Sequence, residues 1–162
     1  MSPRLPSIGT SVLTQSCEIT ELCALLYHAL LKGLNMKVDI FDFPADPRGV
    51  GYSLFPTHLE NDSNVFFHGT ASVYLYSILE RGFIPYPPLD SVSFSMTSPL
   101  ALGYACSKRS PESPEGCVIV VRYDNINRPG IVLETSILYD YTRTPPPVVI
   151  GYCIVPATYN HV

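Results

Sequence analysis

The residues best suited to chemistry are His68, Gly69 and Thr70, which stand together directly after the apolar run Val65-Phe66-Phe67. A neutral imidazole donates through one ring nitrogen and accepts through the other, which suits it to recognising hydroxyl groups. Glycine carries no Cβ, so a ligand can approach its backbone closely. The tripeptide alone equally fits a strand-end histidine that caps the following helix. Tyr104 is a second aromatic candidate, read either as a stacking ring or as a core tyrosine packed on Leu100 one helical turn earlier. Beyond Glu115 the acids are Asp124, Glu134 and Asp140. Glu134 closes an apolar run and fits either a pocket acid or a solvated strand end. Cysteines at 17, 23, 106, 117 and 153 form no C-x-x-C pair, and the plain reading is buried thiols in a reducing compartment. No cysteine sits in an obvious nucleophile turn, which disfavours a Cys–His hydrolase built on His68.

These residues need elements to position them. Val65 to His68 reads as a buried strand, followed by a helix of about ten residues with Ser72 as N-cap and Gly82 just past its end. Val92 to Met96 alternates like a strand. Ser98-Pro99 reads as a cap with a first-turn proline for a helix over Leu100 to Lys108. Cys117 to Tyr123, β-branched through its middle, is the clearest strand of the chain. Ile131 to Glu134 and Val148 to Val155 are further strands, and Leu138 to Pro147 reads as a variable loop between them. Upstream, apolar positions from Glu18 to Leu34 recur at helical spacing. A strand candidate spans Lys37 to Phe43, and a Pro- and Gly-bearing loop runs from Pro44 to Pro56. The expected organisation is an N-terminal helix, strand and loop over residues 1–60, then a body over 61–162. Short strands clustered late in the chain favour α+β over a doubly wound sheet.

The order from Phe66-Phe67-His68-Gly69-Thr70 through Ile78-Leu79-Glu80-Arg81-Gly82-Phe83 resembles the opening of the ADP-ribosyltransferase fold. Ser93-Phe94-Ser95, Ala101-Leu102-Gly103-Tyr104-Ala105 and Gly116-Cys117-Val118-Ile119-Val120-Val121 resemble its next strand, helix and strand. The resemblance covers about residues 64–155 and is closest to the diphtheria-toxin and poly(ADP-ribose) polymerase branch, with its His–Tyr–Glu site. It implies a split β-sheet core with short helices, and NAD as a substrate without a metal. By resemblance, His68 binds the ribose hydroxyls of the adenosine side. Gly69 meets the nicotinamide carboxamide, and Thr70, Phe94 and Ser95 line the cofactor site. Tyr104 stacks on the nicotinamide ring, where an offset contact contributes about 1 kcal/mol beyond burial.

Two departures follow. Phe94 stands where the family usually has a second tyrosine, keeping the ring face and losing the hydroxyl. The strand that should open on the family glutamate begins Pro147-Val148-Val149, leaving Glu134 as the catalytic candidate and Asp140 as another acid that could face the site. The resemblance then implies mono-ADP-ribosylation of a protein or small-molecule acceptor, or an inactive module that binds a nucleotide or protein partner. Poly(ADP-ribose) synthesis is disfavoured.

Composition narrows the partners. The 162 residues carry a formal charge of −4 with scattered Lys and Arg, so no basic stripe for duplex phosphates is present. An RNA 2′-phosphotransferase of the same fold is disfavoured too, because no arginine lies close to His68 in sequence. With 46% hydrophobic and 15% charged residues the chain reads as a folded domain, and 16 prolines forecast ordered loops. Leu22 to Leu34 is too short to span a bilayer. No charged start precedes an apolar core, so the expected location is intracellular, cytoplasmic or nuclear.

Overall fold

The computed structural model describes residues 38–44 and 53–161. The helix expected over 18–34 and much of the 44–56 loop lie outside them. The described residues build an α+β fold around one mixed sheet. Its strands are β1 (Asp39–Phe41), β2 (Val65–Ala71), β3 (Val92–Ser95), β4 (Gly116–Arg122), β5 (Ile131–Glu134), β6 (Ile137–Asp140) and β7 (Val148–Val155). The spatial order is β1-β7-β4-β2-β3-β6-β5. β1 runs parallel to β7, and all other neighbours are antiparallel. A strand from the 1–60 segment thus pairs with the last strand of the body. The helices are α1 (Thr57–Glu60), α2 (Leu75–Arg81, after a 3-10 turn over Ser72–Tyr74) and α3 (Ser98–Ser107).

β4 is buried over its first six residues. A β-branched run suits that place, since both faces of a central strand must be apolar. α3 packs on one face through Ala101, Leu102 and Ala105, each fully buried. Glycine beneath it permits the close approach. A Cβ on Gly69 would come within 2.7 Å of the Ala105 nitrogen and closer still to the Ala101 carbonyl, and one on Gly116 would come within 2.9 Å of the Ala105 carbonyl. The core on this face includes Phe55 stacked on Phe67 (centroids 5.3 Å apart) and Phe41 edge-on to Phe55 (5.2 Å).

Three local expectations change. Ser72 does not cap α2; it opens the 3-10 turn, whose cap position is Ala71, and Tyr74 stands before α2 itself. Ser98 is not the cap of α3. Thr97 occupies that position without a side-chain cap bond, while the Ser98 N–H and hydroxyl both donate to the Glu60 carboxylate. The buried Ser98 hydroxyl in turn accepts from the Leu54 N–H at 2.9 Å. A carboxylate 38 residues away satisfies the helix start and complements its dipole. The variable loop expected from Leu138 also begins later. Ile137–Asp140 is a strand, hairpinned to β5 and paired with β3, because Leu138 and Asp140 alternate into full burial. Its turn places Thr135, rather than the usual Gly or Asn, at φ 51°.

Candidate functional site

Alternation along β2 divides the sequence-derived residues between two faces. Val65 and Phe67 join the core under α3, and Gly69 lies directly beneath that helix. Phe66 and His68 point the other way, into an aromatic cluster with Phe83, Phe94 and Tyr123. The His68 ring lies 5.1 Å from Phe83 and 5.5 Å from Phe94, and Phe83 meets Phe94 at 4.9 Å. Phe83 directly follows Gly82, whose φ of 77° ends α2 and turns the chain back over the sheet. Thr70 and Ser95 are buried, and Phe94 is buried with aromatic rings about it.

The β2–β3 ladder is interrupted at this point. β2 pairs with β4 along its whole length, Val65↔Arg122 to Ala71↔Gly116, yet meets β3 at the single pair Phe67↔Ser95. Tyr123 N–H donates to the Asn64 carbonyl and Ser72 N–H to the Glu115 carbonyl, which fixes the phase of the β2–β4 ladder. Even-numbered residues of β2 therefore bond β4. The N–H and C=O of Phe67, Gly69 and Ala71 point toward β3. After Phe67 that ladder stops. The Ser93 carbonyl, which would take the Gly69 N–H in a continued ladder, accepts instead from His68 Nδ1 at 2.9 Å.

That bond sets the histidine's chemistry. A carbonyl can only accept, so Nδ1 carries the proton and Nε2 of the neutral ring is left as an acceptor. Protein surrounds the ring although an edge stays accessible. Burial lowers its pKa below the ordinary histidine value, the Ser93 bond raises it in part, and the Lys108 charge lowers it again. His68 is accordingly a neutral acceptor near pH 7.

Tyr104 lies on α3, half exposed. Helical spacing puts it and Lys108 on one flank, while Leu102 and Cys106 on the other flank pack into the core. Glu134 is not brought to His68. The row Phe67–Ser95–Ile137–Glu134 runs straight across the sheet. It sets Glu134 about 14 Å from β2, three strand spacings away, and on the α3 face rather than the His68 face.

Asp140 is on the His68 face but wholly engaged. It is fully buried, pairs with Arg128 at 2.8 Å and accepts from the Tyr123 hydroxyl at 3.1 Å. It also takes the backbone N–H of Thr142 (3.1 Å) and of Arg143 (2.7 Å). Sequence reading missed this role, because nothing in the run Asp140-Tyr141-Thr142-Arg143 announces that the carboxylate is buried. Burial, then the Asp140 charge, raises the pKa of Tyr123. Val148 opens β7 and is largely exposed.

The described cysteines are held as thiols. Burial raises Cys106 and Cys117, and burial followed by the Asp42 charge raises Cys153 to about 12. Among the described residues no group of three or more His, Cys, Asp or Glu side chains could hold a metal ion, and no helix is long and apolar enough to cross a membrane. In comparison with known proteins, no family model matches the chain and no curated protein matches it.

Proposed function

We propose that this chain is an ADP-ribosyltransferase-like domain that takes NAD at the split beside His68 and Gly69 and transfers at most single ADP-ribose units to a protein or small-molecule acceptor. One observation carries the reading, namely the interrupted β2–β3 ladder. It leaves an outward-facing N–H and C=O on Gly69, a donor and acceptor side by side, which complement the C=O and NH₂ of a primary carboxamide. His68 Nε2 can accept from a ribose hydroxyl, and the half-exposed Tyr104 ring on the helix above Gly69 offers a stacking face.

The placement of the acids favours a second reading, a nucleotide-binding module without turnover. Glu134 lies at the far edge of the sheet, and the Asp140 carboxylate is consumed by five hydrogen bonds from Arg128, Tyr123, Thr142 and Arg143. Incubation with NAD and measurement of released nicotinamide tests the first reading. Release is expected, with its loss in His68→Ala, and release unaltered by that substitution sinks the proposed role of His68. Calorimetric titration separates the two. Binding without release supports the module, and no binding at millimolar NAD overturns both.

A further inference from the structure

On the His68 face, beyond the Phe83–Phe94 pair, lies an open groove of about 350 Å³. Its floor is Val92 and Phe94 with Asp140 beneath. Residues 81–84 supply one side and the Thr142–Pro147 loop the other. The lining is apolar at Phe83, Ile84 and the two prolines, and cationic at Arg81 and Arg143.

The loop carrying Arg143 is fixed at unusual expense. Arg143 has φ 56°, a conformation that costs a residue bearing a side chain about 1 kcal/mol or more. Its N–H is held by the buried Asp140, and Arg128 binds both Asp140 and the Pro145 carbonyl, the latter at 2.6 Å. Glycine or asparagine would meet the backbone demand better. The arginine side chain therefore calls for a role of its own. Its guanidinium has no hydrogen bond or ion pair with any described residue. Among the described residues Arg81 meets only Glu80, at 3.5 Å and largely exposed, where such a pair contributes little. Arg128 and Asp140 neutralise each other. Two arginines against one glutamate thus leave the rim positive on a chain of net charge −4.

We propose that this groove docks an acidic peptide segment with an apolar residue at its centre. Carboxylates pair with Arg81 and Arg143 while the apolar side chain rests against Phe83, Ile84 and the prolines. If the chain is a transferase as proposed above, this segment belongs to its protein acceptor; the identification as acceptor rests on that reading, the docking does not.

The test is fluorescence anisotropy with the full chain and a labelled Glu-Glu-Leu-Glu-Glu peptide, NAD being absent. Saturable binding is expected, weakened about tenfold by Arg81→Gln or Arg143→Gln and unchanged by Arg122→Gln, an arginine outside the groove. The Gln-Gln-Leu-Gln-Gln peptide should not bind. Thermal unfolding of each variant confirms that the fold is retained, as expected for exposed side chains. Equal binding of the two peptides, equal weakening by Arg122→Gln, or no saturable binding overturns the proposal. Nicotinamide release is measured separately on the same protein. Its absence bears on the transferase reading and leaves the peptide result standing.

Discussion

Replacing Asp140 with alanine should be among the most damaging single changes in the described residues. The carboxylate is fully buried, and its partner Arg128 is 11% exposed, so both charges have left water. Removing one leaves the other uncompensated, which costs about 3–5 kcal/mol. Arg128 Nε already lacks a partner, so the guanidinium has little local reserve. The substitution also frees the Tyr123 hydroxyl and the Thr142 and Arg143 amides, part of which water can satisfy at the loop surface. A single domain is stable by about 5–15 kcal/mol, so from about a fifth of the total upward is at stake. In urea, with a slope of about 1.5–2 kcal/mol per molar, the midpoint should fall by about 1.5–3 M. The paired variant Asp140→Leu with Arg128→Met removes both charges and should recover much of the loss, because a buried ion pair contributes little net stability against apolar packing. A loss under about 1 kcal/mol for Asp140→Ala would refute the reasoning, since the pair would then behave like an exposed one. So would a double variant as unstable as the single.

Gly69→Ala should destabilise by about 1–3 kcal/mol in chemical unfolding, because the new methyl meets the backbone of α3. Gly103→Ala, whose nearest neighbour is the swingable His161 ring at 3.1 Å, should be neutral or stabilising; similar losses for both would discard the close-packing argument. Burial lowers the His68 pKa, so its contribution to stability is complete above the unfolded value of about 6.5 and is lost as pH falls through the folded value. Urea midpoints of the native chain should therefore fall more steeply below pH 6.5 than those of His68→Gln, and parallel profiles would contradict this. In His68→Ala the Ser93 carbonyl is released, and hydrogen exchange should show the Gly69 amide better protected as the β2–β3 ladder extends. Unchanged or faster exchange there would mean that something other than the imidazole holds the strands apart.

What was legible in the sequence was the part that local chemistry determines. The β-branched run of β4, the apolar strand ending at His68 and the glycine that ends α2 each state their conformation within a few residues. β6 escaped notice because its turn uses Thr135 and Ser136, which announce no hairpin, and because the burial of an aspartate reads as a surface position until its arginine is found. The start of α3 was misassigned for a similar reason. Ser98 has the side chain of a cap, but the carboxylate that satisfies the helix comes from Glu60, and no local pattern joins the two. For the site, the nearness of His68 and Phe94 followed from the order of elements. The engagement of the Ser93 carbonyl, the intrusion of Phe83 and the placing of Glu134 on the opposite face depend on strand register, which the sequence leaves unspecified.

The interrupted ladder is what joins these observations. β3 has enough residues to continue alongside β2, and a full ladder would satisfy the Gly69 backbone at no cost in side-chain entropy. Instead an imidazole stands across the gap and takes the carbonyl that the ladder needs. Such an arrangement gives up a backbone hydrogen bond of about 1 kcal/mol and exposes a glycine edge in the middle of a sheet. Tight packing then keeps the edge from collapsing, since α3 presses on Gly69 and Gly116 from one side and Phe83 and Phe94 brace His68 from the other. A fold selected for stability alone would close the ladder. One that leaves the ladder open beside a fixed acceptor nitrogen has the feature on which the proposed carboxamide site rests, and that proposal stands apart from whether an acid is at hand to break a glycosidic bond.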